Sequence, residues 1–334
     1  MDDVRRAALL TGDVDVAVRA LRSGGLVAIP TETVYGLGAD AENTAADARV
    51  YAAKGRPADH PLIVHLADAD AIDDGWAREI PSWARLLAAA CWPGPLTLVV
   101  RRGPRAGDHV TGGQDTVGLR VPSHPIAHAV LRAFGGGVAA PSANRFGRVS
   151  PTDADHVLDE LADVLEPGRD VVLDGGESHV GVESTIVDCT GDAPRLLRPG
   201  GVGVEEIEAV TGLDVVDADP SVRAPGTLAA HYAPTAEVLL VASHEVAAAA
   251  VDALARGDGP VAVLADASVR TPDGATRLAD PAGSIAYARC LYSALRQADG
   301  DGVRTVLAVP PSDDGPLAAA VLDRLGRAAT GSAR

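Results

Sequence analysis

The chain has 334 residues, 47% of them hydrophobic and 22% charged, with a formal net charge of −17. This composition supports packed cores and excludes a disordered chain, and the length suits two domains. The negative charge opposes broad contact with nucleic acid, whose phosphates demand clustered Lys and Arg, so strong direct nucleic-acid binding is not expected.

In chain order, short apolar runs at 26–30, 62–66, 96–101, 116–121 and 138–140 predict strands. Helical spacing at 13–22, 43–54, 81–91 and 125–134 separates them, with Asp13 and Asn43 as N-caps and Gly24 and Gly135 as stops. A further helix is expected near Ser150-Pro151, then strands at 171–174, 184–189 and 195–198 and a helix at 203–211. Residues 214–236 lose periodicity and hold three prolines, as an interdomain linker does. Beyond them, strands at 237–241, 261–264 and 305–309 alternate with helices at 244–256, 284–297 and 316–328. The expected division is 1–213, a linker 214–236, and a smaller C-terminal α/β domain 237–334 with a parallel sheet.

No apolar run reaches the roughly 18 to 20 residues of a membrane span, and the start lacks a basic end followed by an apolar stretch. A cytoplasmic location without membrane association is expected. Cys91, Cys189 and Cys290 lie far apart without a C-x-x-C pair, so they read as small buried residues in a reducing compartment. His124 and His128 have the spacing of a metal pair but lack the accompanying glutamate and third ligand, so no metal site is assigned.

No Walker-type phosphate loop and no glycine-rich dinucleotide fingerprint occurs, so a nucleotide site must use another design. Pro30 to Gly38, PTETVYGLG, follows an apolar strand, where open α/β sheets present ligands; a plain surface turn is the alternative. Lys54, Arg56 and His60 bracket a glycine and suit phosphate, or else complement a helix C-terminus. Among 29 cationic side chains Lys54 is the only lysine. Arg120, inside the strand pattern TVGLRVP, needs a partner if buried: either an amino-acid carboxylate or a structural ion pair. Ser142 and Asn144 follow a strand, Ser184 and Thr185 follow glycines, and Arg198 precedes a Pro-Gly turn.

In this order PTETVYGLG, KGRP with PLIVH, TVGLRVP, PSAN, STIVD and RPG closely resemble the YrdC-like L-threonylcarbamoyl-adenylate synthases over residues 15–212. Pro225-Gly226-Thr227 and His231-Tyr232-Ala233-Pro234 resemble the PG and HYAP stretch of the long, two-domain members. The resemblance implies a twisted, mostly parallel YrdC-like sheet around a concave cavity, over which the linker reaches back, plus a smaller Rossmann-like domain. It implies an ATP-using nucleotidyltransferase that joins L-threonine, bicarbonate and AMP, with Mg²⁺ accompanying ATP, and supplies a downstream tRNA threonylcarbamoyl transferase. Threonine is then expected at Thr33, His65, Arg120, Ala140 and Ser184. ATP is expected at Lys54, Arg56, His60, Thr116, Ser142, Asn144, Ser150, Arg198 and Tyr232, with Lys54 and Arg56 catalytic. His60 stands where members often have Asn or Lys, Ala140 offers only backbone, and the linker lacks their lysine after Pro-Gly. Two other readings attach to the same fold: a non-catalytic RNA-binding protein, which the charge opposes, and a carbamoyltransferase of hydrogenase maturation, whose zinc-finger cysteines this chain lacks.

Overall fold

The computed structural model describes residues 3–216, 218, 223–226, 231–257 and 259–333. Within the expected linker, residues 217, 219–222 and 227–230 lie outside the described residues, Thr227 of its Pro-Gly-Thr among them. The chain forms two compact units. One comprises Met1–Phe146, Pro151–His179 and Glu183–Thr227; the other comprises Gly147–Ser150, Val180–Val182 and Leu228–Arg334.

The first unit is built on strands β1 (Leu10–Thr11), β2 (Val27–Ile29), β3 (Gly36–Asp40), β4 (Ile63–His65), β5 (Ala77–Arg78), β6 (Leu96–Arg102), β7 (Thr116–Arg120), β8 (Val138–Ala139), β9 (Val171–Leu173), β10 (Thr185–Asp188) and β11 (Arg195–Arg198). Their order is β1-β9-β2-β3-β8-β4-β7-β6-β10-β11, with β5 beside β6. Pairings β1/β9, β2/β9, β4/β7 and β6/β10 are parallel, while β3, β8, β11 and the β6/β7 contact introduce antiparallel neighbours. The α/β class expected from the alternation is present, and the sheet is mixed rather than uniformly parallel.

Side chains that can satisfy orphan helical N–H groups set the helix starts. Asp13 accepts from Asp15 N and Val16 N, and Asn43 from Ala45 N and Ala46 N. The helix expected at Ser150-Pro151 instead begins at Ala154, because Asp153 is the cap, accepting from His156 N at 2.7 Å. His124 likewise caps helix Pro125–Phe134 through Nδ1, and His128 Nε2 lies 2.5 Å from Ala67 O, so the two imidazoles serve the fold. Leu62, Trp76, Leu87, Leu98 and Leu119 are buried in one core cluster of the sheet. Leu21, Val27, Val130 and Leu173 form another.

The second unit is a parallel sheet of β12 (Glu237–Leu240), β13 (Val261–Leu264), β14 (Ala275–Ala279) and β15 (Thr305–Ala308), ordered β12-β15-β13-β14. Helices Val246–Arg256, Gly283–Gly300 and Ala318–Ser332 accompany it. Strand β14 was not expected: Ala275-Thr276-Arg277-Leu278-Ala279 is an edge strand, only partly buried, and so lacks the apolar run that marked its neighbours. Val246, Ala250, Val263 and Leu307 form this unit's own core.

Candidate active site

Adjacent strands β4, β7 and β6 place the key residues on one face of the first unit's sheet. The parallel register sets His65 beside Arg120 and Ile63 beside Gly118. Side chains two apart along a strand share a face, so Ile63 with His65 and Gly118 with Arg120 point the same way. A Cβ placed on Gly118 would lie 3.4 Å from both Ile63 and Thr97, which puts Thr97 of β6 on that face too.

Arg120 is buried, and its Nη2 donates to Glu32 Oε1 at 2.6 Å, while Nε donates to Gly94 O at 3.3 Å. Glu32 Oε2 accepts from Ser123 N at 3.0 Å. Burial pushes the Glu32 carboxyl upward, but the charge and hydrogen bond of Arg120 outweigh it and hold it below the usual range. The structural ion pair is therefore real; Nη1 has no partner among the described residues and leaves one edge of the fork for a further carboxylate. Burial, then the Arg120 charge, drives His65 down to about 3, so its imidazole is neutral, and its Nδ1 has no partner among the described residues.

Helix Thr44–Lys54 ends at Gly55, which takes the left-handed φ of +62° that a glycine adopts without steric cost. The turn delivers Lys54 inward, where Nζ donates to Ser142 O and Asn144 O, each at 2.5 Å. Burial lowers the Lys54 pKa strongly, and the neighbouring Arg56 lowers it further. Here the only lysine bridges backbone carbonyls of the PSAN turn rather than facing open space. Arg56 Nη2 donates to Pro61 O at 2.9 Å, and its guanidinium lies 5.7 Å from the Phe146 ring centroid. The His60 ring meets the same phenyl edge-on at 5.4 Å. Burial and Arg56 hold the His60 pKa below its usual value.

Thr33 is fully buried, its Oγ1 2.9 Å from Thr31 Oγ1, which in turn donates to Val34 O. Ala140 N donates to Ile63 O, and Asn144 Nδ2 donates to Arg145 O. Ser184 precedes β10; its Oγ lies 2.8 Å from Thr97 Oγ1 and accepts from Arg198 Nη2 at 3.2 Å. Arg198 also donates twice to Ser184 O and, through Nη1, to Pro225 O at 2.9 Å. Residues 223–226 thus lie on this face. Ala224 packs with Ile63, Val99 and Ile186, leaving a cavity of about 10 Å³ beside Thr116, space for about one water.

Three groups emerge: Glu32, His65 and Arg120; Lys54, Arg56, His60, Ser142 and Asn144; and Thr97, Ser184 and Arg198. Ser150 and Tyr232 belong to the second unit. There Ser150 O lies 3.4 Å from Arg296 Nε, and Tyr232, at φ +59°, stacks on Tyr292 with centroids 5.7 Å apart. Glu32 stands in the PTETVYGLG turn with nothing in the sequence to name its partner, and Thr97 lies outside the motifs. The signal for Thr97 was a hydroxyl in the otherwise apolar run LTLVV.

Buried cations, hydroxyls and a neutral imidazole at the strand ends of an α/β sheet define a protein that handles small polar, anionic molecules. A family model described as telomere recombination (Sua5_yciO_yrdC) matches residues 19–200, and one described as threonylcarbamoyl-AMP synthase, C-terminal domain, matches residues 202–330. The chain belongs to this threonylcarbamoyl-AMP synthase family, in its two-domain form. It is 41% identical over 327 residues to the threonylcarbamoyl-AMP synthase of Pyrococcus abyssi, covering 94% of this chain and 93% of that protein. It is 41% identical over 336 residues to that of Bacillus subtilis, covering 97% and 95%. The crystal structure of P. abyssi Sua5 complexed with L-threonine matches with a TM-score of 0.87 at 39% identity, covering 96% of this chain and 94% of that one.

Proposed function

We propose that this protein is an L-threonylcarbamoyladenylate synthase, a nucleotidyltransferase that forms threonylcarbamoyl-AMP and pyrophosphate from L-threonine, bicarbonate and ATP. The observation that carries the reading is the relationship along nearly the whole of both chains to proteins of that name. The product would be the activated precursor for threonylcarbamoyladenosine in tRNA, handed to a separate transferase in the cytoplasm.

On this reading the threonine carboxylate approaches the open edge of the Arg120 fork, with Thr33, His65, Ser184 and the Ala140 backbone around the rest of the molecule. Neutral His65 avoids adding charge beside the amine. The amine attacks the bicarbonate carbon, water leaves, and a carbamate forms. A carbamate oxygen then attacks the α-phosphorus of ATP and pyrophosphate departs, so no protein nucleophile is required. Mg²⁺ enters as part of the MgATP substrate, held by phosphate and water. Arg56, His60, Thr116, Asn144 and Arg198 would neutralise and orient the triphosphate. Lys54 would act by holding the carbonyls of Ser142 and Asn144, so that the PSAN turn is preorganised.

The test is to incubate the purified protein with ATP, bicarbonate, L-threonine and Mg²⁺, measuring pyrophosphate and seeking the adenylate by mass spectrometry. Product that requires both threonine and bicarbonate is expected. Pyrophosphate release independent of either would overturn the proposal.

A further inference from the structure

We infer that Thr97 is a positioning residue for threonine: its hydroxyl orients the Ser184 hydroxyl, and Ser184 in turn joins the amino-acid subsite to the Arg198 guanidinium that holds Pro225. The inference rests on the proposed contact between Ser184 and threonine. Thr97 is fully buried near the start of β6, between Leu96 and Leu98. A buried hydroxyl costs free energy unless bonded, and valine is nearly isosteric, β-branched and likewise favoured in strands. The fold therefore does not need oxygen at this position.

Among the described residues the sole partner of Thr97 Oγ1 is Ser184 Oγ, at 2.8 Å. Ser184 precedes β10, so its backbone is not yet held by the ladder, whose first pair is Thr185 with Leu96. Its hydroxyl would otherwise rotate freely. Thr97 from one side and Arg198 Nη2 from the other restrict it to one orientation. The same guanidinium donates to Pro225 O, so the set of Ser184 and the seat of residues 223–226 depend on one another.

The experiment measures steady-state kinetics of Thr97→Val, Thr97→Ser, Ser184→Ala and the double variant Thr97→Val/Ser184→Ala, with melting temperatures alongside. Thr97→Val is expected to raise the threonine KM at least about fivefold, while the ATP KM stays within about twofold. Thr97→Ser should restore the wild-type threonine KM, and Thr97→Val should add nothing in the Ser184→Ala background. If Thr97→Val proves unstable, Thr97→Ala is compared with Thr97→Ser in the same way. A wild-type threonine KM for Thr97→Val when Ser184→Ala is impaired sinks this inference alone, as does equal impairment towards both substrates. An unchanged threonine KM in Ser184→Ala sinks the threonine contact of Ser184, and this inference with it.

Discussion

Arg120 and Glu32 illustrate how a single side chain serves both the fold and the site. Removing one partner of a buried ion pair leaves an uncompensated charge and costs roughly 3–5 kcal/mol. Arg120→Ala is thus expected to lower the melting temperature and to raise the threonine KM more than the ATP KM. Equal changes in both constants would argue that Arg120 is purely structural. Lys54→Met keeps length and apolar bulk but deserts the carbonyls of Ser142 and Asn144. Leaving a buried hydrogen-bonding group without its partner costs roughly 1–3 kcal/mol, so a clear loss of stability is expected, together with turnover reduced at least about tenfold. A stable variant with full turnover would refute both roles. His65 supplies a pH effect whose sign follows from its depressed pKa of about 3 against an ordinary 6.5. The folded state keeps the ring neutral while the unfolded state takes up a proton, so the stabilisation is present above pH about 6.5 and is lost as pH falls towards 3. His65→Asn should flatten the acid limb of the stability profile in that window; an unchanged slope would contradict it.

Secondary-structure elements were legible where local chemistry decides them. Asp13, Asn43 and Gly135 occupy the caps that their side chains or conformational freedom suit. Strand β14 and the start of helix Ala154–Leu161 were misread because an edge strand carries little apolar signal, and because Ser150 and Asp153 are both competent caps. The turn after β11 belongs to this scale. A Cβ on Gly200 would lie 2.2 Å from Thr185 N and 2.4 Å from Ser184 C, backbone atoms that no rotamer change relieves. Gly200→Ala is therefore expected to displace the start of β10, lowering the melting temperature and weakening threonine binding together. A variant with both unchanged would show that the turn can yield.

At the scale of the whole molecule, two units with a sheet each account for the length, each unit burying its own apolar residues. None of the described helices is long and apolar enough to cross a membrane. The formal charge of −17 bears on partners. Non-specific nucleic-acid binders reach Kd values of about 10⁻⁴ to 10⁻⁶ M at physiological salt through neutralised phosphates. Unmodified tRNA is expected to bind more weakly than that in a filter or fluorescence assay at about 0.15 M salt. Tight, salt-resistant binding would instead support an RNA-binding role.

The sequence by itself determined the α/β class, the strand and helix sites with strong periodicity or caps, and the family, because ordered motifs and apolar spacing are local properties. It left open whether Arg120 meets a protein carboxylate, where the only lysine points, and what Thr97 touches. Those depend on register between strands distant along the chain: β4 beside β7, and β6 beside β10. Only the folded sheet sets Glu32 against Arg120, Lys54 under the PSAN carbonyls and Thr97 against Ser184.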